Sequence, residues 1–253
     1  MKLQNLKWPE IKRIAPKTMA FAPIAALEQH GHHLPLITDT AIGTELAKRI
    51  ERRFPNKLVL LPTLWIGSSH HHLDCPGTMS LSSATYIQVL VEMLESIANA
   101  GFRKAILFNC HGGNHLPASE ALYRYHMAHR KEREVKFVLA TYWITASDAL
   151  KGLPFMETPA LTHACEYETS MMLELHPDLV DMKKARSKVR MVKSNFVSLD
   201  YAKTNVTMVR TFLEATETGS MGRPELATRN KGRQLLDIIT DKCSEFVKEF
   251  QGW

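Results

Sequence analysis

The chain has 253 residues, of which 45% are hydrophobic and 23% charged, a composition typical of a globular protein with a hydrophobic core. No apolar stretch approaches the roughly 18 residues that a membrane span requires, and residues 1–8 lack the apolar core of a signal peptide, so we expect a cytoplasmic protein without a membrane partner. The formal net charge is +6, but the basic residues are scattered and form none of the usual nucleic-acid motifs, which disfavours a nucleic-acid partner.

Short apolar runs alternate with amphipathic helical stretches over the first two-thirds of the chain, a pattern that predicts a parallel α/β sheet. We therefore predict a single α/β domain over residues 1–253, with a central, mostly parallel sheet flanked by helices. In chain order, we predict a strand at 19–27, a helix at 40–54, a strand at 58–61, a helix at 83–100, a strand at 105–108, a helix at about 117–131 and a strand at 135–142. Helices are predicted at 164–175 and 223–250, and a hairpin is one interpretation of residues 187–209.

The spacing of the cysteines bears on both disulfides and zinc. They are Cys75, Cys110, Cys165 and Cys243. No two of them form a C-x-x-C pair, so a cysteine-based zinc ribbon is excluded. Because disulfides are rare in a reducing compartment, we predict free thiols.

The 12 histidines are spread unevenly. Most lie in a few short segments, and they are His30, His32, His33, His70, His71, His72, His111, His115 and His163. All of these except the last closely follow a predicted strand. Because ligands bind at the carboxyl ends of the strands in open parallel sheets, we expect these side chains at one edge of the sheet.

The segment after the first strand offers a mixed set of oxygen and nitrogen donors. Glu28 and His30 are two residues apart in an extended segment, so their side chains project to the same side. Asp39 follows a loop turned by Gly31 and Pro35, just ahead of a helix. Asp39 on its own is suited to cap that helix, but together the three residues favour Zn²⁺, Mn²⁺ or Fe²⁺ over Ca²⁺.

The segment Asn109-Cys110-His111-Gly112-Gly113-Asn114 directly follows another buried strand. His111 comes directly off the end of this strand and is placed to join the metal. Gly112 and Gly113 let the backbone approach a ligand closely or open a helix N-terminus, so we assign them to substrate binding.

Two further segments carry candidate residues with weaker patterns. His163 and Glu168 share a helix face only if His163 lies just before the first turn, and the alternative is an ordinary helix start with favourable acidic residues. The loop at 67–80 follows a strand, a position that often carries function, and Ser69 and His70 are its candidate substrate-binding residues. Three consecutive histidines cannot all face one ion, so we expect one or two of them in the pocket.

Together these motifs resemble the creatininase family of metal-dependent amidohydrolases. The matching residues occur in family order over about residues 20–235, and they are Glu28-Gln29-His30-Gly31 through Leu34-Pro35-Leu36-Ile37-Thr38-Asp39, Pro76-Gly77-Thr78-Met79-Ser80, Asn109-Cys110-His111-Gly112-Gly113-Asn114, His163 with Glu168-Thr169, and Gly219, Gly222, Pro224, Ala227 and Gly232. The resemblance implies an α/β fold with a mostly parallel sheet, two divalent metal ions (Zn, Mn or Fe) and a homo-oligomer, a hexamer in the family. It also implies four metal ligands, Glu28, His30, Asp39 and His111, with Asp39 bridging the two ions.

The chain departs from creatininase at two positions. Creatininase carries a glutamate two residues after the histidine that matches His111, where this chain has Gly113. Our hypothesis is that Glu168 supplies the carboxylate instead. Creatininase also has a tryptophan four residues before the match to His163, where this chain has Pro159, and we consider Trp143 a partial substitute.

The resemblance implies hydrolysis of an amide or cyclic amide or amidine C–N bond in a small molecule with a metal-activated water. We predict that His163 moves the proton to the leaving nitrogen, because histidine titrates near the working pH. A branch that deformylates a formamido-pyrimidine nucleotide and a peptide-processing branch share the His-Gly-Gly-Asn form. A two-metal phosphoesterase and a metal-binding protein without turnover are the competing classes, and the missing carboxylate at Gly113 favours the second of these.

Overall fold

The computed structural model describes residues 1–131, 134–190, 194, 196, 206 and 208–253. Its strands are β1 (Met19–Ile24), β2 (Leu58–Leu60), β3 (Lys104–Asn109) and β4 (Lys136–Thr141). Its α-helices are α1 (Trp8–Ile14), α2 (Thr38–Arg53), α3 (Ser83–Asn99), α4 (His115–Ala128), α5 (Tyr142–Thr145), α6 (Ser147–Leu150), α7 (Glu166–Leu175), α8 (Phe212–Ala215) and α9 (Arg229–Gly252).

The four strands form one sheet in the order β2-β1-β3-β4, and every pair is parallel. This confirms the predicted α/β class with a parallel sheet, whereas the extent of the domain over residues 1–253 stays a prediction. The last residues of three strands, Ile24, Asn109 and Thr141, lie in register beside one another. The segments that leave β1, β3 and β4 therefore start from a common edge.

Successive strand residues face opposite sides of the sheet, and each side is covered by helices. Phe21, Ile106 and Phe108 belong to a buried cluster with residues of α2, α7 and α9. Their neighbours Ala22 and Leu107 belong to a second cluster with residues of α3 and α4. Both faces are thus buried, which explains why the strands are continuous apolar runs.

Some boundaries differ from the predicted ones for identifiable reasons. The chain leaves the sheet after Ile24, so β1 ends there instead of at residue 27. α9 begins at Arg229 instead of residue 223, because Pro224–Leu226 forms a separate 3₁₀ turn and the Thr228 hydroxyl caps α9 by accepting from the Lys231 N–H. α1 was not predicted.

Three further predictions concern the hairpin, the cysteines and membrane-spanning helices. The hairpin proposed within residues 187–209 falls largely outside the described residues. The cysteines are free, as predicted. Within the part of the chain that the structure describes, no helix is both long and apolar enough to cross a bilayer.

Candidate metal centre

The predicted ligands meet at the carboxyl edge of the sheet. Glu28 and His30 lie on the segment that follows β1, and His111 lies two residues beyond the end of β3. Asp39 is in the first turn of α2, and Glu168 is in the first turn of α7. All five side chains are buried, so their charges interact strongly with one another.

Asp39 lies between two histidines and presents a different oxygen to each. Its Oδ1 is 3.0 Å from His30 Nε2, and its Oδ2 is 3.0 Å from His111 Nδ1. The residue is the second of α2, and its side chain does not cap the helix, since the capping position is Ile37 without a side-chain hydrogen bond. The capping interpretation of Asp39 is therefore wrong, and its arrangement suits a carboxylate shared by two sites.

The described residues include three groups of potential ligands, one of which contains Asp39 and another of which is Glu28, His72 and His163. Glu28, Asp39 and His111 have donor atoms within 4.8 Å of one another, and so do His30, His163 and Glu168. His30 Nε2 is 4.0 Å from Glu168 Oε2. The structure thus brings Glu168 to the site from α7, which the sequence suggested only if His163 preceded the first helical turn.

The outer nitrogens of two histidines face backbone carbonyl groups. His30 Nδ1 is 3.1 Å from the Glu28 carbonyl oxygen, and His111 Nε2 is 3.2 Å from the Ser68 carbonyl oxygen. A carbonyl accepts only, so each outer nitrogen carries a proton and donates it. In the neutral rings the inner nitrogens then turn their lone pairs toward carboxylates, an arrangement typical of metal-ligating histidines.

The electrostatic environment of the site favours positive charge. Burial opposes protonation of these two histidines, but the neighbouring carboxylates outweigh it and raise the pKa of His30 to about 9 and that of His111 to about 10. Burial acts to raise the pKa of Glu28, but His111 and His72 hold that pKa well below its usual range. Glu28 thus remains charged and favours either protons on the neighbouring imidazoles or a bound cation.

Glu28 supplies a separate test of whether a cation fits. Both of its carboxylate oxygens are buried. Oε1 lies 3.2 Å from His72 Nε2 and 3.2 Å from His111 Nδ1, whereas Oε2 has no hydrogen-bond partner among the residues that the structure describes. A buried carboxylate oxygen without a hydrogen bond is unfavourable by several kcal/mol unless a cation is nearby. The residues present therefore fit a divalent ion at this position.

Gly113 has no room for a side chain. A Cβ atom at this position would overlap the carbonyl oxygen of Ser68 and crowd the rings of His111 and His71. The glutamate that creatininase carries here could not be accommodated without moving the loop after β2. Any carboxylate on this side of the candidate site would therefore have to come from another segment of the chain.

His163 is held by Gln29 in an unusual way. Its Nε2 is 2.9 Å from the Gln29 carbonyl oxygen and 3.0 Å from the Gln29 side-chain nitrogen. The first partner accepts a hydrogen bond and the second donates one, so either tautomer of His163 finds a partner. Burial, reinforced by nearby His30 and His72, holds the pKa of His163 well below its ordinary value, so the ring is neutral near pH 7.

A small cavity of about 40 Å³ opens onto these groups. Its wall includes Trp143 and Gly112, which were predicted to bind substrate, and also Phe212 from α8. Ser69 and Gly113 do not line it, although the Ser69 hydroxyl is 3.2 Å from His111 Nε2. Roles in substrate binding stay predictions for all of these residues.

Of the three consecutive histidines in the loop after β2, one is exposed to solvent and two line the cavity. His70 is exposed and does not line the cavity, whereas His71 and His72 are buried and do. Sequence reasoning selected His70 and missed the other two, because the direction of a 3₁₀ turn at His70–His72 is not encoded in three identical residues. Phe212 was missed because nothing near it in the sequence connects it to the histidines.

An open parallel sheet that gathers three carboxylates and several histidines at its carboxyl edge defines an α/β protein with a candidate metal centre. The chain belongs to the creatininase family, since the family model, described as creatinine amidohydrolase, matches residues 4–247. Similar proteins include creatinine amidohydrolase of Pseudomonas putida, 27% identical over 97% of this chain and 95% of the relative. The mycofactocin precursor peptide peptidase of Mycolicibacterium smegmatis is 30% identical over 92% of this chain and 85% of the relative.

Solved structures share the fold over nearly the whole chain. A crystal structure of creatinine amidohydrolase (creatininase) superposes with a TM-score of 0.79 at 25% identity, covering 98% of this chain and 97% of the other. The relatives are thus hydrolases by name, including an amidohydrolase and a peptidase.

Proposed function

We propose that this chain is a metal-dependent amidohydrolase that hydrolyses an amide or cyclic amide or amidine C–N bond of a small molecule. The observation that carries the proposal is the position of Asp39, whose two oxygens each lie 3.0 Å from a different histidine. Glu28, Asp39 and His111 would hold one divalent ion, and His30, Asp39 and Glu168 would hold a second. Zinc, manganese and ferrous iron suit this donor set.

Divalent ions held by these residues would supply a water of lowered pKa and would polarise the carbonyl of the scissile bond. The protein side chains then have separate tasks. His163 carries a proton toward the leaving nitrogen, and its dual partner Gln29 allows the ring to be protonated on either nitrogen during turnover. The apolar wall formed by the half-buried Trp143 and the buried Phe212 would keep bulk water from the reacting group.

The size of the cavity bears on the substrate. At about 40 Å³ it is far smaller than the roughly 300–1,000 Å³ of pockets that enclose a whole ligand. The portion of the substrate that enters would therefore be a small acyl or ring group. A formamido group is the smallest amide carbonyl, so we keep deformylation of a formamido-pyrimidine nucleotide as the second candidate.

A substrate panel tests the proposal directly. The protein is stripped with a chelator, reloaded with Zn²⁺ or Mn²⁺, and assayed on creatinine, a formamido-pyrimidine nucleotide, short N-acyl amides, a short peptide and a phosphodiester. We expect metal-dependent hydrolysis of the C–N bond in at least one amide, detected as a released amine for an acyclic substrate and as the ring-opened product for a cyclic one. Turnover of the phosphodiester alone would overturn the assignment in favour of a phosphoesterase. Stoichiometric metal with no hydrolysis across the panel would favour a metal-binding protein without turnover.

We also propose a homo-oligomer, a hexamer by analogy with the family, that acts in the cytoplasm without a nucleic-acid or membrane partner. Light scattering coupled to size-exclusion chromatography would measure the assembly. A monomer at micromolar concentration would contradict it.

A further inference from the structure

The side-chain amide of Gln29 has a fixed orientation. Its Oε1 accepts a hydrogen bond from the Gly31 N–H at 2.9 Å, so the other end of the amide must be the NH₂ group. Gly219 packs directly against this amide, and a Cβ atom there would overlap Oε1. The amide therefore cannot turn over without losing the Gly31 hydrogen bond.

The NH₂ group of Gln29 lies 2.8 Å from His72 Nδ1. Because an amide nitrogen only donates, Nδ1 must offer a lone pair. The single ring proton of His72 is then on Nε2, which lies 3.2 Å from Glu28 Oε1. This is the reverse of His30 and His111, whose outer nitrogens donate to carbonyl groups.

The position of the ring proton determines whether His72 can bind a metal ion. An imidazole nitrogen that carries a proton cannot ligate a metal ion, although Glu28, His72 and His163 lie as close together as the other two groups of potential ligands. It can, however, donate a hydrogen bond to a carboxylate. Ligating carboxylates are commonly fixed by such donors.

We propose that Gln29 fixes His72 in the Nε2-protonated tautomer and that His72, instead of binding metal, donates to Glu28 Oε1 in the loaded protein and so orients this carboxylate toward its ion. His72 and Gln29 are thus positioning residues for the centre. This inference rests on the proposed function, since it assigns a role to each residue relative to the bound ion.

The surroundings of His72 hold the ring in place. It is 1% exposed, its ring centroid is 4.0 Å from that of Phe212, and it stacks on His163 at 4.6 Å. A ring packed on both sides cannot rotate freely to exchange its two nitrogens. The hydrogen bond from Gln29 therefore controls which nitrogen faces Glu28.

Two variants separate the tautomer from simple packing. Gln29→Glu keeps an oxygen for the Gly31 N–H but replaces the NH₂ donor with an acceptor, so the proton of His72 should move to Nδ1. His72→Leu removes the donor, whereas His72→Gln keeps an N–H in a similar place. His126→Gln, an exposed histidine on α4, is the matched control.

The measurements are made on the zinc- and ¹¹³Cd-loaded protein. In ¹⁵N-histidine spectra we expect wild-type His72 to be protonated on Nε2 and to show no coupling to ¹¹³Cd, and Gln29→Glu to move the proton to Nδ1. In competition titrations, zinc affinity should fall about 10–100-fold in His72→Leu and Gln29→Glu, with unchanged stoichiometry, much less in His72→Gln, and not at all in His126→Gln.

Cadmium coupling to His72, or full zinc affinity in both His72→Leu and Gln29→Glu, would overturn the inference. A wild-type protein that takes up neither metal would overturn the proposed function instead. In that case the tautomer of His72, recorded on the same sample, would still show whether the Gln29 contact is as described.

Discussion

Lys231 on α9 forms an ion pair with Glu166, the first residue of α7, with 2.6 Å between Nζ and Oε1. The Glu166 side chain is fully buried, and that of Lys231 is 15% exposed. The Thr158 N–H also donates to Glu166 Oε2 at 2.8 Å. The pair thus fixes the start of the helix that carries Glu168 into the candidate metal centre.

Lys231→Met should strongly destabilise the protein, because it leaves a buried carboxylate without its cation. We expect the free energy of unfolding to fall by about 3–5 kcal/mol in denaturant titrations. Arg229→Met, which breaks the more exposed pair with Glu174, should cost less than about 1 kcal/mol. Similar losses for the two variants would contradict the importance of the buried pair.

The same pair has a pH dependence with a definite sign. Burial acts to raise the pKa of Glu166, but Lys231 and Thr158 hold that pKa below its ordinary value. A lowered pKa means that the stabilisation is present above the unfolded-state value of roughly 4.3 and is lost as the pH falls through the folded-state pKa. As the pH falls, the free energy of unfolding of Lys231→Met should therefore decrease less steeply than that of the wild type.

Gly113→Ala tests the steric limit at the position where creatininase has glutamate. The new Cβ would overlap the Ser68 carbonyl oxygen, which is the partner of His111 Nε2. We expect about 1–3 kcal/mol of destabilisation and a loss of metal affinity on the order of 10-fold or more. Gly252→Ala, where no atom lies within 4 Å of the added Cβ, is the control, and equal behaviour of the two variants would refute the steric argument.

Glu168→Gln tests whether α7 supplies a ligand. The side chain is anchored by the Ala164 N–H, which donates to Oε2 at 2.6 Å, so an amide of the same shape can occupy the same place. We expect metal analysis to show a drop from two ions to one per chain, with unfolding little changed. Glu174→Gln on the same helix should retain both ions, and an undiminished metal content in Glu168→Gln would eliminate this carboxylate as a ligand.

The sheet and the positions of Glu28, His30, Asp39 and His111 could be predicted because each depends on local pattern. Buried strands are continuous apolar runs, and polar residues directly after them must lie at the carboxyl edge. The inward turn of His72 and the packing of Phe212 could not be predicted in this way. They depend on contacts between segments far apart in the chain, such as that between Gln29 and His72, which leave no periodic trace in the sequence.

His163→Ala tests the proton carrier. The ring is neutral near pH 7, and its Nδ1 lies 3.8 Å from Glu28 Oε1, so it can reach the reacting groups without being required for the ion pairs around Asp39. We expect kcat to fall by about 10²–10⁴ on the substrate found in the amide panel, with both metal ions retained. A variant that keeps near-normal kcat, or that loses a metal ion, would contradict a role limited to proton transfer.

Metal uptake should release protons and depend steeply on pH. In the metal-free protein the pKa of His30 is about 9 and that of His111 about 10, so both rings are protonated at pH 7 and must lose a proton before they can ligate. Apparent zinc affinity should therefore rise with pH up to about 9–10, and calorimetry in buffers of different ionisation enthalpy should show protons leaving the protein at pH 7.

Because these pKa values are raised, the two histidines stabilise the metal-free protein fully below the unfolded value of roughly 6.5, and this contribution is lost as the pH rises through 9–10. The metal-free protein should thus lose stability between pH 7 and 10 while the zinc-loaded protein does not, and parallel thermal unfolding curves for the two forms across this range would contradict the assignment of His30 and His111 as ligands.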